Sequence, residues 1–113
     1  MAKFEITKRK NGEFQFNLKA SNGEIILTSE GYKAKVSCKN GIESVKVNSQ
    51  NAEHFDKKVS SNGKFYFNLI ASNGQVVGTS EMYESESGRN NGIASVMRNA
   101  PDAILFDLSN EEK

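Results

Sequence analysis

The chain has 113 residues, 26% of them charged and 36% hydrophobic, with a formal net charge of +1 and one cysteine. These values fit a single globular domain with one core. They exclude an intramolecular disulfide and any strong whole-molecule attraction to nucleic acid. No apolar run is long enough for a membrane helix, and the opening MAKFEITKRK lacks the apolar stretch of a secretory signal. A reducing, cytoplasmic location is the resulting expectation.

The first predicted element is a strand over Phe4–Thr7, with Phe4 and Ile6 on one side and Glu5 and Thr7 on the other. Asn11-Gly12 follows, a pair that tolerates positive φ at both positions of a hairpin turn. A second strand points Phe14, Phe16 and Leu18 inward and Gln15, Asn17 and Lys19 outward. Asn22-Gly23 makes another turn, and Glu24–Thr28 forms the third strand. The period then changes. Ala34, Cys38, Ile42 and Val45 mark one face of a helix, for which Ser29 is the expected N-cap with Glu30 in the first turn.

The same series follows once more. Asn11–Asp56 aligns with Asn62–Asp107 at a shift of 51 without a gap, and 23 of the 46 pairs are identical. Such self-similarity marks an internal duplication. Phe65, Phe67 and Leu69 point inward, Asn73-Gly74 turns, and Gln75–Thr79 is a strand. Ser80 is the second expected N-cap, Ile93, Val96 and Met97 form the apolar face, and Pro101 ends the helix. FEI at Phe4, FDK at Phe55 and FDL at Phe106 share the 51-residue spacing, so a third copy begins at Phe106 and stops.

The predicted fold is therefore α+β: a duplicated β-β-β-α unit plus a final strand, with one mainly antiparallel sheet and both helices on one face. The chain reads as one domain over residues 1–113, built of repeats at about 4–54 and 55–106. Asn40-Gly41 and Asn91-Gly92 fall inside the predicted helices, where glycine costs about 0.5–1 kcal/mol relative to alanine. Its presence in both copies predicts close packing there, with a kink or an early helix end as the rival.

Chemistry is sparse. His54 is the lone histidine, with Asp56 as nearest carboxylate, and the second copy has Leu105 and Asp107 in their places. One His and one Cys cannot build a recognisable zinc site, and Cys38 fits a small buried hydrophobe. Glu84, Glu86 and Asp102 have no spacing that dictates an acid–base pair, and the glycine turns match no phosphate-loop pattern. No catalytic, cofactor-binding or metal-binding residue is assigned, no cofactor is expected, and the chain reads as a non-enzyme.

Two binding readings remain. Lys3, Lys8, Arg9 and Lys10 make the first strand basic, and residues 1–51 hold nine Lys/Arg against five Asp/Glu while residues 52–113 hold six against nine. Weak RNA binding through the first repeat is the alternative function. It is disfavoured because the sheet's inward aromatics belong to the core and Tyr66 is the only predicted outward one. The favoured reading is a small binding or interaction module with no membrane partner. Two helices cover one sheet face and leave the other open. Gln15, Asn17, Tyr66 and Asn68 are the candidate site there. Asparagine is poor in strands, so its presence at the paired positions Asn17 and Asn68 points either to use or to a cross-strand hydrogen bond.

The doubled ASNG…TSE.Y and NGI.SV motifs resemble the small bacterial YegP-like family over nearly the whole chain. That resemblance implies β3-α-β units in one sheet with last strands exchanged between units, so that Phe55 would close the first unit while opening the second. With both strands so used, a monomer is expected. The family implies no established activity or catalytic residue. This chain departs from internal symmetry at YESESGRNNGI, where Gly88 and Arg89 replace Ser37 and Cys38.

Overall fold

Alternating apolar residues become strands, and the 3.6-residue spacing becomes helix, twice over. The computed structural model of the chain describes residues 1–110. The first repeat forms β1 (Lys3–Lys8), β2 (Phe14–Lys19), β3 (Ile25–Thr28) and α1 (Lys35–Asn48). The second forms β4 (Phe55–Val59), β5 (Phe65–Ile70), β6 (Val76–Thr79) and α2 (Glu86–Asn99), and β7 (Ile104–Asp107) follows. Short 3-10 turns, Ala52–His54 and Ala100–Asp102, lead into β4 and β7.

One sheet holds all seven strands in the order β4-β5-β6-β3-β2-β1-β7. β3 and β6 meet antiparallel at Thr28 and Thr79, residues related by the 51-residue shift, so a pseudo-twofold axis passes between them. Every pair is antiparallel except β1–β7, which is parallel. Both helices join a single core with Phe4, Phe16, Phe67 and Leu69, each fully buried.

The strand exchange happens at one end only. β7 leaves its own repeat and lies against β1 of the other, with Phe4 beside Leu105 and Ile6 beside Asp107. β4 pairs with β5 of its own repeat, so the Phe55 segment opens the second unit without closing the first. One stretch of chain cannot occupy both places. Phe106 consequently differs from Phe4 and Phe55. It lies beside Glu5, on the face away from the helices, and is 45% exposed.

Three local expectations are corrected. Ser29 and Ser80 cap no helix; they are buried, and their hydroxyls accept hydrogen bonds from the Phe16 and Phe67 amides at 2.9 and 3.0 Å. The helices start later, at an N-cap without side-chain bonding at Ala34 and at Ser85, whose hydroxyl accepts from Gly88 N–H at 3.0 Å. Ala34 thus lies outside the apolar face. A serine at the end of a strand can satisfy a neighbouring strand as readily as a helix. Third, the Asn-Gly turns use positive φ at glycine alone, 85–90° at Gly12, Gly23, Gly63 and Gly74. Asn11, Asn22 and Asn73 instead accept from the amide two residues on, the pattern of an Asx turn.

The helix glycines pack closely, as expected, but against tyrosine. α1 and α2 run unbroken through Gly41 and Gly92. A Cβ at Gly41 would lie 2.9 Å from Tyr32 Cζ and 3.1 Å from Phe16 Cε2, and one at Gly92 would lie 2.7 Å from Tyr83 Cζ. Tyr32 is itself stacked on buried Phe16, with ring centroids 6.3 Å apart, so its ring has little room to yield. Overpacking costs about 1–3 kcal/mol and outweighs alanine's propensity gain of roughly 1 kcal/mol. Gly41→Ala and Gly92→Ala are expected to lower the melting temperature. Melts of either variant at or above the parent would show that the tyrosines do not need the space.

Candidate functional site

Register places a polar row across the uncovered face. Following pairs from β1 to β4, the residues are Glu5, Asn17, Thr28, Thr79, Asn68 and Asp56. The row reads carboxylate, amide, hydroxyl and then the mirror order, because the duplication repeats it about the axis between Thr28 and Thr79. Phe106 extends it past Glu5. No described element covers this row.

All four candidate residues lie on this face and are half-buried. They form two pairs, one in each repeat. Gln15 and Asn17 touch, with Gln15 Nε2 donating to Asn17 Oδ1 at 3.4 Å. Tyr66 and Asn68 are two residues apart on β5, beside Lys58 and Asp56 of β4. Thr79 Oγ1 donates to Asn68 Oδ1 at 2.8 Å, a cross-strand bond that gives this asparagine a structural task. Beside the row, Lys19 Nζ lies 2.9 Å from Glu5 and Lys3 3.5 Å. The hydrogen bond from Lys19 holds the Glu5 carboxyl below its ordinary pKa, against an opposing effect of burial. The face therefore offers amides and hydroxyls as donors and acceptors, with a carboxylate at each end and aromatic rings at Tyr66 and Phe106. Tyr66 is not the only outward aromatic. Phe106 joins it because β7 adds in a register that sequence alternation alone did not set.

The other candidates stay apart. His54 sits in the 3-10 turn before β4 with Nδ1 2.9 Å from Ile70 O, while Asp56 pairs with Lys58 at 3.5 Å. Glu84 pairs with Lys64, Glu86 opens α2, and Asp102 lies in the turn before β7. Among the described residues, no three His, Cys, Asp or Glu gather as metal ligands. Cys38 is fully buried, and burial, aided by nearby Asp107, pushes its thiol up to about 11; at neutral pH it holds its proton and is a poor nucleophile.

The basic opening segment is split between the two faces. Lys3 lies over the Phe106 ring on the open side, Lys8 lies over Phe14, and Arg9 bonds Glu13 and Gln15. Sequence reasoning passed over one doubled feature. A cleft lined by Gly23–Ile26, Glu81 and Tyr83 has a pseudo-equivalent lined by Glu30, Gly31, Tyr32 and Gln75–Val77. Each joins strand residues of one repeat to the TSE.Y segment of the other, so the repeated motif was the available signal.

These features define a class: a tandem-duplicated α+β protein with one mixed sheet, one open polar face and no assembled catalytic cluster among its described residues. The chain belongs to the family described as Domain of unknown function (DUF1508), whose model matches it twice, over residues 10–56 and 60–107. It is 56% identical to a UPF0339 protein of Pseudomonas aeruginosa, covering 96% of this chain and 98% of that one. It is 49% identical to UPF0339 protein YegP of Yersinia pestis, covering 94% and 95%. The solution NMR structure of Escherichia coli yegP, a protein of unknown function, matches with a TM-score of 0.93 at 47% identity, over 98% of this chain and 96% of that one. No described helix is long and apolar enough to cross a membrane.

Proposed function

We propose that the protein is a non-catalytic binding or interaction module, acting as a cytoplasmic monomer, whose contact surface is the open face of the sheet. The observation that carries this reading is the uncovered row from Glu5 to Asp56, flanked by Gln15, Tyr66 and Phe106. Asn68 is held by the cross-strand bond from Thr79, whereas Asn17 at the matched position accepts from Gln15 of its own strand at 3.4 Å, so Asn17 is the asparagine that this reading puts to use. The single buried thiol fits a reducing compartment.

The test is an amide chemical-shift map recorded while RNA, and then a mixture of small metabolites, is added. Saturable shifts are expected at Gln15, Asn17, Tyr66 and Asn68, and Asn17→Ala should weaken binding more than it lowers the melting temperature. Shifts confined to the helix side, or turnover of an added metabolite, would overturn the reading. RNA binding that fades steeply with salt would instead mark phosphate attraction by the basic first strand.

A further inference from the structure

The pseudo-twofold axis leaves the two ends of the sheet unequal. β1 is capped in parallel by β7, beginning with Ile104 N–H donating to Ala2 O at 3.1 Å. β4 is the equivalent of β1 at the opposite edge, and no described strand lies outside it. The burial pattern records the difference. Ile6 is fully buried beneath this cap, whereas its equivalent Lys57 and the following Lys58 and Val59 are exposed.

The charges above the two edges differ in the same way. In the first repeat a cation, Lys35 Nζ, lies 5.6 Å from the centre of the Phe14 ring and is neutralised by Asp107 of β7 at 2.9 Å. In the second repeat another cation, Arg89, takes the corresponding place, with Cζ 5.5 Å from the centre of the Phe65 ring. Arg89 is 7% exposed, its Nε has no hydrogen-bond partner, and no carboxylate of the described residues pairs with it. A buried guanidinium without a carboxylate is costly, and its planar donors suit a carboxylate better than any other group. In β1 the neighbour of Asp107 is Ile6; in β4 the equivalent neighbour is Lys57. Two cations therefore flank the position that a fourth strand residue would take, with Glu86 of α2 the opposing charge, exposed in the helix's first turn.

The geometry points to β4 as a strand-docking edge, which accepts an extended apolar segment of a partner protein in parallel, with a carboxylate at its fourth position held by Arg89 and Lys57. The prototype is the chain's own Ile104–Asp107, which meets the equivalent edge in this way. Main-chain hydrogen bonds supply affinity in such additions, and the side-chain contacts supply selectivity. Lys57 and Lys58 guard the vacant edge against indiscriminate pairing, as charges on edge strands do, while favouring an acidic segment.

The test uses the full chain and a synthetic peptide carrying the sequence of residues 103–109, followed by amide shifts and the Arg89 Nε–H signal. The expected result is saturable shifts at Phe55–Val59 and at Arg89 Nε–H. Replacing the peptide's aspartate by asparagine should weaken binding at least about tenfold, the scale of one lost charge-assisted bond. Arg89→Lys should retain the preference for the acidic peptide, and Arg89→Met should lose most of it. The proposal is overturned if no saturable shift occurs, if shifts fall at β1 because the peptide replaces β7, or if both peptides bind equally.

Discussion

Deleting the chain from Ile104 onward is expected to make the protein unfold or self-associate. The deletion removes the strand that lies beside Phe4 and Ile6, two fully buried core residues, and leaves unpaired the backbone groups of β1 that face away from β2. An open edge over an apolar surface pairs with whatever strand is at hand. The loss also removes the Asp107–Lys35 ion pair. These terms together should consume most of a typical total stability of about 5–15 kcal/mol. Sedimentation and thermal melting check this; a monomer that melts like the parent would mean that β7 is an ornament. The acid side of the pH profile should report the same strand. Burial raises the Asp107 carboxyl, but hydrogen bonds from Ser109 and Lys35 outweigh it and hold the pKa below its usual 3.8. A carboxyl lowered by folding stabilises the fold above its unfolded pKa and loses that contribution as pH falls through the folded value. Acidification below about pH 4 is therefore expected to loosen β7, and the Asp107→Asn variant should flatten that part of the curve.

Phe16→Ala and Phe67→Ala should each cost about 3–5 kcal/mol. Phe16 is fully buried, packs edge-on against Phe4 with centroids 5.8 Å apart, and stacks on Tyr32. Phe67 is equally buried and meets Phe55 edge-on at 5.4 Å. The cavity in either case lies under a helix whose neighbours cannot collapse freely. Chemical denaturation measures the loss. A cost below about 1 kcal/mol for both would place these rings outside a close-packed core.

The doubled pattern made much of this fold legible. Period two in Phe14–Lys19 and Phe65–Ile70, Asn-Gly at four turns, and period 3.6 through Cys38, Ile42 and Val45 each reflect local rules that the tertiary structure reinforces. The helix glycines were legible as a packing feature, although their partners, Tyr32 and Tyr83, lie nine residues upstream and could not be named. Ser29 and Ser80 misled because a hydroxyl before an acidic residue satisfies the rule for a helix cap, yet here it serves an adjacent strand. Phe106 misled for a different reason. Its sequence matches Phe4 and Phe55, but its face depends on the register of a parallel pairing with a strand a hundred residues away. The open-face residues were legible by alternation, whereas the full polar row required the β3–β6 pairing across the pseudo-twofold axis. Arg89 stood out only as a break in the repeat; its meaning needed Lys35, Asp107 and two phenylalanine rings in space.

The central claim is that the repeat is a covalently joined pair of units in which the last strand crosses over. A fragment of residues 1–60 tests it most directly, since it ends after Val59 and has no β5 to hold β4. Near-identical units exchange such strands at low cost. Sedimentation equilibrium of this fragment should show a folded dimer, with the Phe55–Val59 segment of each copy lying against β1 of the other. A well-folded monomer would contradict the claim and make the two repeats independent beads.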